Sequence, residues 1–161
     1  MAATLALADA AATAHLGARL ARLLEPGDVV GLEGDLGAGK STLARACLQT
    51  LAGAPITVPS PTFTLVQSYE FALLQVWHVD LYRLGEPNEI DELGLEDARE
   101  AAALLIEWPE RLAPDQLADR LTIRLDDADG GRSRIARLSA DASWSARLPR
   151  LVAADRGEDG G

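Results

Sequence analysis

The chain has 161 residues, a size for one domain, and its 48% hydrophobic and 25% charged composition excludes disordered and fibrous classes. No stretch approaches the roughly 18 apolar residues of a membrane span, and a formal net charge of −10 argues against an autonomous nucleic-acid binder, because phosphate backbones are held by clustered Lys and Arg. The single cysteine, Cys47, excludes a disulfide framework or a cysteine metal cluster and fits a reducing cytoplasm.

The Ala-rich start, MAATLALADAAATAHLG, lacks the basic head and Ala-x-Ala exit of a signal peptide, so a cytoplasmic location is expected. From about Asp9 to Leu24, Leu16, Leu20, Leu23 and Leu24 recur at helical spacing with Arg19 and Arg22 between them, which predicts an amphipathic helix. His15 lies beside that apolar face without a second ligand at metal spacing and reads as a packed or solvated side chain. Glu25-Pro26-Gly27-Asp28 then breaks the helix.

An apolar strand, Val29 to Glu33, leads into GDLGAGKST, Gly34 to Thr42, and a helix-like run follows from Thr42 to Leu51. Gly, four residues, Gly, Lys, Ser or Thr in this strand, loop, helix context is the pattern of a phosphate loop. Gly34, Gly37 and Gly39 lack a Cβ, so the backbone can turn its N–H groups around an anion, and the following helix adds its positive end. Lys40 is placed to reach the β and γ phosphates, and the Ser41 hydroxyl to ligate Mg²⁺ held between them. Cys47 falls within that helix as a small core residue.

After the Gly53-Ala54-Pro55 break, the prolines flanking Ser60 make SPT a stiff extended segment, and Thr62 to Tyr69 suit a strand. Ser60, Thr62 and Thr64 fit a γ-phosphate sensor, or equally a plain loop entering a strand. Leu73 to Val79 predict a strand ending in Asp80. Its carboxylate sits where α/β sheets bind ligands and can orient a water or hold Mg²⁺ through water; a helix cap or surface Asp is the alternative. His78, two residues back on the same face, packs or hydrogen-bonds.

Gly85 to Glu100 is acidic, with Ile90, Leu93 and Leu95 as its only anchors, and reads as a solvated short helix and turn or as an acidic docking face. Ala103 to Ile106 form a buried strand capped by Glu107, where an acid completes a Mg²⁺ shell directly or through water. Trp108 then shapes the site's wall or packs in the core. Leu121, Ile123 and Leu125 alternate with polar residues from Asp119 to Asp126, a strand whose antiparallel partner is Arg132 to Ser139 after a turn at Asp127 to Gly131. The Gly-rich charged residues 155–161 are expected to be a disordered tail behind a single domain, 1–154.

Three blocks, GDLGAGKST, SPTFTLVQSYE with HVDLYRL, and LLIEWPERL, resemble in order and spacing the TsaE (formerly YjeE) family, the bacterial ATPase of tRNA threonylcarbamoyladenosine biosynthesis. The resemblance runs from about Thr13 to Leu138 and implies an α/β, P-loop NTPase-like three-layer fold with a mixed, mostly parallel central sheet. It implies hydrolysis of ATP with Mg²⁺, needed by the cytoplasmic partners TsaB and TsaD, which put threonylcarbamoyl on the adenosine beside the anticodon of ANN-decoding tRNAs. The tRNA would then be met only through the complex. By that likeness Gly34, Lys40 and the amides of Gly37, Ala38, Gly39, Ser41 and Thr42 hold phosphates, while Ser41 and Glu107 hold Mg²⁺. Thr62 and Asp80 match switch-like and catalytic positions, Trp108 an active-site tryptophan, and the Gly131-Arg132 turn lies near the adenine. The chain departs from the pattern at Ser41, usually Thr, which keeps the hydroxyl, and at Ala10, where relatives often carry an acid near the nucleotide.

Weak turnover without partners is expected, since no Arg beyond Arg83 and Arg111 looks placed as a finger. Two rival functions use the same loop. A small-molecule kinase needs a second concave site and an Arg-bearing lid, for which the segments leave little room. A non-hydrolysing nucleotide-dependent binding module would use Asp80 and Glu107 only to organise Mg²⁺.

Overall fold

Val29, Val30 and Leu32 are fully buried, so strand β2 (Val29–Glu33) needs cover on both faces, as a central strand of an α/β sheet does. The computed structural model describes residues 1–35, 37–59, 61, 65–84 and 86–153, the Pro87 side chain excepted. Ser60, Thr62, Thr64 and the tail 155–161 lie outside the described residues.

Seven strands form one mixed sheet in the order β1-β7-β6-β2-β5-β4-β3. The further strands are β1 (Ala2–Leu7), β3 (Val66–Glu70), β4 (Gln75–Asp80), β5 (Ala102–Glu107), β6 (Leu121–Ala128) and β7 (Ser133–Ala140). β6, β2, β5 and β4 pair in parallel at the centre, while β3, β7 and β1 join through antiparallel pairings at the two sides. Because β7 is antiparallel to both β6 and β1, β1 runs with the parallel group and only β3 and β7 run against it.

Helices α1 (Ala10–Leu23) and α2 (Lys40–Ala52) cover one face of the sheet. Asp9 caps α1 by accepting the Ala12 N–H at 2.9 Å, satisfying one of the four donors left unpaired at a helix start. Leu16 and Leu20 of α1 and Leu43 and Leu48 of α2 pack with Val30, Leu32, Leu105 and Ile123 of the sheet. A methyl at Gly17 would strike the Leu43 carbonyl, which is why the two helices can approach so closely. Short helices α5 (Ala142–Ser145) and α6 (Leu148–Val152) close this layer, with the Trp144 indole fully buried. Arg19 is also buried and donates from Nε to the Leu151 carbonyl at 2.8 Å, so this residue of the expected polar stripe pins α6 to α1.

The opposite face carries α3 (Pro87–Asp91), α4 (Leu95–Ala98) and the turn at Pro109–Arg111. Ile90, Leu95, Leu112 and Leu117 there bury Val29, Val79, Leu104 and Ile106. The acidic stretch thus forms two short helices resting on Ile90 and Leu95. Truncating any one of these fully buried Leu or Ile side chains to Ala costs about 2–5 kcal/mol.

Two expectations change. The strand expected from Leu73 begins at Gln75, because Phe71 to Leu74 form the β3–β4 turn, where the Phe71 N–H donates to the Leu74 carbonyl and Leu73 is 95% exposed. β1, where the sequence pattern predicts no strand, pairs along its length with β7. Among the described residues no helix is long and apolar enough to cross a membrane.

Candidate functional site

β2 ends at Glu33, and the next residue must turn sharply against the neighbouring strand. Gly34 does so at φ 141°, and a Cβ there would stand 2.6 Å from the Leu125 carbonyl of β6, so no other residue fits. Gly37 and Gly39 also take positive φ, and Gly39 delivers the chain into α2 from a left-handed cap. Lys40, first residue of α2, is only 5% exposed. It donates from Nζ to the Gly34 carbonyl and lies over the Trp108 indole, 3.7 Å from the ring centre. Burial pulls its ammonium below the usual lysine range, against the opposing attraction of Glu107, Glu110, Asp80 and Asp35.

Register brings the carboxylates to this loop. Glu107 of β5 stands beside Leu32 of β2 on one side and Asp80 of β4 on the other, so three parallel strands end level at the phosphate loop. Both acids are 5% exposed, a costly position for a charge without partners. Glu107 Oε2 lies 2.8 Å from His78 Nε2, itself buried, and Asp80 Oδ1 accepts the Tyr82 N–H at 2.9 Å. A neutral or charged His78 donates from Nε2 to the carboxylate, which fixes the orientation of Glu107.

Trp108, next in the chain, adopts φ 64°, the left-handed region, which costs a bulky residue about 1–2 kcal/mol. The surroundings hold it there: its N–H donates to the Leu32 carbonyl at 3.3 Å and its ring packs on Tyr82 with centres 4.8 Å apart. Lys40, Ser41, Asp80, Glu107, Trp108 and Arg134 thus line one cavity of about 430 Å³. A smaller cavity of about 190 Å³ adjoins it, lined by Asp9, Ala10, Gly39, Thr42, Gly131 and Arg132 among others. The larger space mixes an ammonium, a hydroxyl and two carboxylates beside an aromatic wall; the smaller lies between the start of α1 and the β6–β7 turn.

Among the described residues no three His, Cys, Asp or Glu side chains converge as a metal cage. The available donors, the Ser41 hydroxyl and the carboxylates of Asp80 and Glu107, are all hard oxygens, the set that suits a Mg²⁺ shared with bound phosphates. The residues present therefore fit that ion.

Of the residues singled out in the sequence, Gly34, Gly37, Ala38, Gly39, Lys40, Ser41, Thr42, Asp80, Glu107 and Trp108 gather at the two cavities or in the loop between them, and Gly131 and Arg132 join them from the β6–β7 turn. Thr62 lies outside the described residues. Ala10 lines the smaller cavity next to Asp9, whose Oδ1 is engaged by the Ala12 N–H. One arginine at the site was not singled out in the sequence. Arg134 of β7 borders both cavities, and Arg111 lies against Tyr82, its guanidinium carbon 5.9 Å from the ring centre. No motif marks Arg134, since its contacts cross nearly a hundred residues. His78 did carry a signal, lying two residues before Asp80 on the same strand face.

Comparison with known proteins gives consistent matches. Residues 7–135 match the model of the TsaE family, described as threonylcarbamoyl adenosine biosynthesis protein TsaE. The tRNA threonylcarbamoyladenosine biosynthesis protein TsaE of Rickettsia felis is 36% identical over 141 residues, 88% of this chain and 82% of that protein. The protein of the same description from Nostoc is 41% identical over 132 residues, 78% of each chain, and that of Streptomyces coelicolor 40% over 119 residues, 72% of this chain and 80% of its own. A crystal structure of Bacillus subtilis YdiB superposes with a TM-score of 0.75 at 26% identity, covering 95% of both chains.

Proposed function

The chain belongs to the TsaE family of threonylcarbamoyl adenosine biosynthesis proteins, and on that premise we propose that it is a Mg²⁺-dependent ATPase acting with TsaB and TsaD in tRNA modification. The modification is the placing of threonylcarbamoyl on the adenosine beside the anticodon of ANN-decoding tRNAs. The observation that carries the reading is the level ending of three parallel strands, which sets Asp80 and Glu107 against the Lys40 end of the phosphate loop in one cavity.

The roles follow from chemistry and position. The loop amides and the N-terminal end of α2 receive the phosphates, and Lys40 meets the charge on the β and γ phosphates once it leaves the Gly34 carbonyl. Ser41 and Glu107 would hold Mg²⁺, which when bound neutralises phosphate charge and polarises the phosphoryl oxygens. Asp80, its carboxylate oriented by the Tyr82 N–H, positions the attacking water and draws on its proton as the bond to the ADP oxygen breaks. Trp108 closes the wall behind Lys40 and keeps water from the phosphate side. Adenine and ribose belong to the smaller cavity, between Ala10 and the Gly131-Arg132 turn.

Turnover by the protein alone is slow in this reading. Arg134, the arginine bordering the larger cavity, is committed to backbone carbonyls, so a positive charge on the transition state comes best from a partner. The net charge of −10 suits docking on proteins rather than gripping tRNA, and the lone buried thiol suits the cytoplasm. The test is phosphate release from MgATP by the intact protein and by Asp80→Ala, each alone and with TsaB and TsaD. The proposal expects release that rises with the partners and is lost in Asp80→Ala; undiminished release by that variant would remove Asp80 from the chemistry, and no release under any condition would leave a nucleotide-binding module.

A further inference from the structure

The apex of the phosphate loop is held from outside by one side chain. Arg134 Nε donates to the Ala38 carbonyl at 2.8 Å and Nη2 to the Gly37 carbonyl at 3.1 Å, both across the gap between β7 and the loop. Nη1 of the same guanidinium donates to the carbonyls of Gly131 at 2.9 Å and Ser133 at 3.1 Å. Asp127 Oδ1, 3.2 Å from Nε, supplies the countercharge. The planar fork of arginine can make such a set at once; a lysine ammonium cannot.

A trans peptide is rigid, so gripping its carbonyl also sets the direction of its N–H. The two carbonyls held by Arg134 belong to the planes that carry the N–H groups of Ala38, which closes the loop on the Asp35 carbonyl at 3.0 Å, and of Gly39, an amide at the anion-binding end of the loop. The same guanidinium holds Gly131, in the turn that lines the smaller cavity. One residue therefore ties the phosphate side of the site to its base side.

We propose that Arg134 is a positioning residue for nucleotide binding, a strut that holds the phosphate loop in its anion-receiving shape and fixes the Gly131-Arg132 turn against it. This rests on the nucleotide reading of the site. A strut acts on everything the loop binds, so it raises affinity for ADP and ATP alike. An arginine that touched the γ phosphate would instead favour ATP and the hydrolytic step.

The experiment is calorimetric titration of the intact protein, Arg134→Met and Arg134→Lys with MgADP and with a non-hydrolysable MgATP analogue, beside steady-state ATP hydrolysis with TsaB and TsaD and melting curves without nucleotide. Loss of the two charge-assisted bonds to the loop predicts affinities for both nucleotides weakened roughly 10- to 100-fold in Arg134→Met and less in Arg134→Lys, with KM raised and kcat held within about threefold. Affinities unchanged in both variants would overturn the strut, as would loss confined to the ATP analogue or to kcat. Should Arg134→Met melt far below the intact protein, the better-tolerated Arg134→Lys carries the same comparison. An intact protein that binds neither nucleotide overturns the nucleotide reading and the strut with it, whereas failure of the variants to differ from a nucleotide-binding intact protein overturns the strut alone.

Discussion

Lys40 stands with its ammonium on the Gly34 carbonyl and its charge over the face of Trp108, 3.7 Å from the ring centre. The loop lysine is thereby held at the site by a neutral acceptor and a π face, partners that a phosphate can replace. Each is a weaker partner for an ammonium than a polyphosphate.

That arrangement predicts opposite effects of one substitution on stability and on binding. The fold favours the Lys40 ammonium less than water does, since burial lowers its pKa from 10.5. Lys40→Met should therefore raise the melting temperature of the nucleotide-free protein by roughly 2–4 °C while abolishing nucleotide binding. The sign extends to pH. Between the lowered pKa and 10.5 the unfolded chain holds the extra proton, so Lys40's part in stability grows as pH rises through that window, and this rise should be missing from Lys40→Met. Denaturant melts from pH 8 to 10.5 check it; a variant less stable than the intact protein at pH 8 would contradict it.

Trp108 should report on occupancy. Its indole shares the cavity with Lys40, while Trp144 is fully buried in the other core and Trp77 packs beneath the short helices. Adding MgADP should change the tryptophan emission of the intact protein, and the change should vanish in Trp108→Phe. An equal change in that variant would place the perturbed ring elsewhere.

His78 holds Glu107 through a bond of 2.8 Å between two nearly fully buried side chains. His78→Ala leaves the carboxylate buried without that donor and should cost about 3 kcal/mol in urea unfolding. It should also raise the Mg²⁺ concentration needed for half-maximal hydrolysis. His78→Gln, which keeps an N–H donor, should recover much of both losses. A His78→Ala protein with unchanged stability and Mg²⁺ demand would show that the pair does not position Glu107.

Cys47 lies fully buried inside α2, and burial pushes its thiol up to about 12. Thiolate is therefore scarce at neutral pH and access is closed. A maleimide should label the native protein at least about 100-fold more slowly than the urea-unfolded chain. Rapid native labelling would mean that α2 opens readily at the phosphate loop.

Much of this was readable from local pattern. β2 has the bounds expected from its apolar run, α1 and α2 begin and end within about two residues of their expected limits, and Asp80 and Glu107 close their strands as their sequence context suggests. What escaped depends on distant contacts. Ala2 to Leu7 alternates too weakly in size to announce a strand, and it becomes one by pairing with β7 at Ser139 to Arg134. Arg19 has the composition of a wet helix face, yet α6 covers it. Arg134 sits in a strand of alternating polar residues, and only the sheet order, which sets β7 two strands from β2, carries it to the phosphate loop. The Gly-rich turn into α2 was legible because its geometry is local: three closely spaced glycines at positive φ, then a lysine and a hydroxyl at the helix start.

The most direct measurement is the formation of threonylcarbamoyladenosine on tRNA by purified TsaB and TsaD with this protein added intact or as Lys40→Ala, followed over many turnovers. The account predicts repeated turnover with the intact protein and none beyond the first cycle with Lys40→Ala. Equal yields from the two would contradict it, because the phosphate loop would then contribute nothing to the modification.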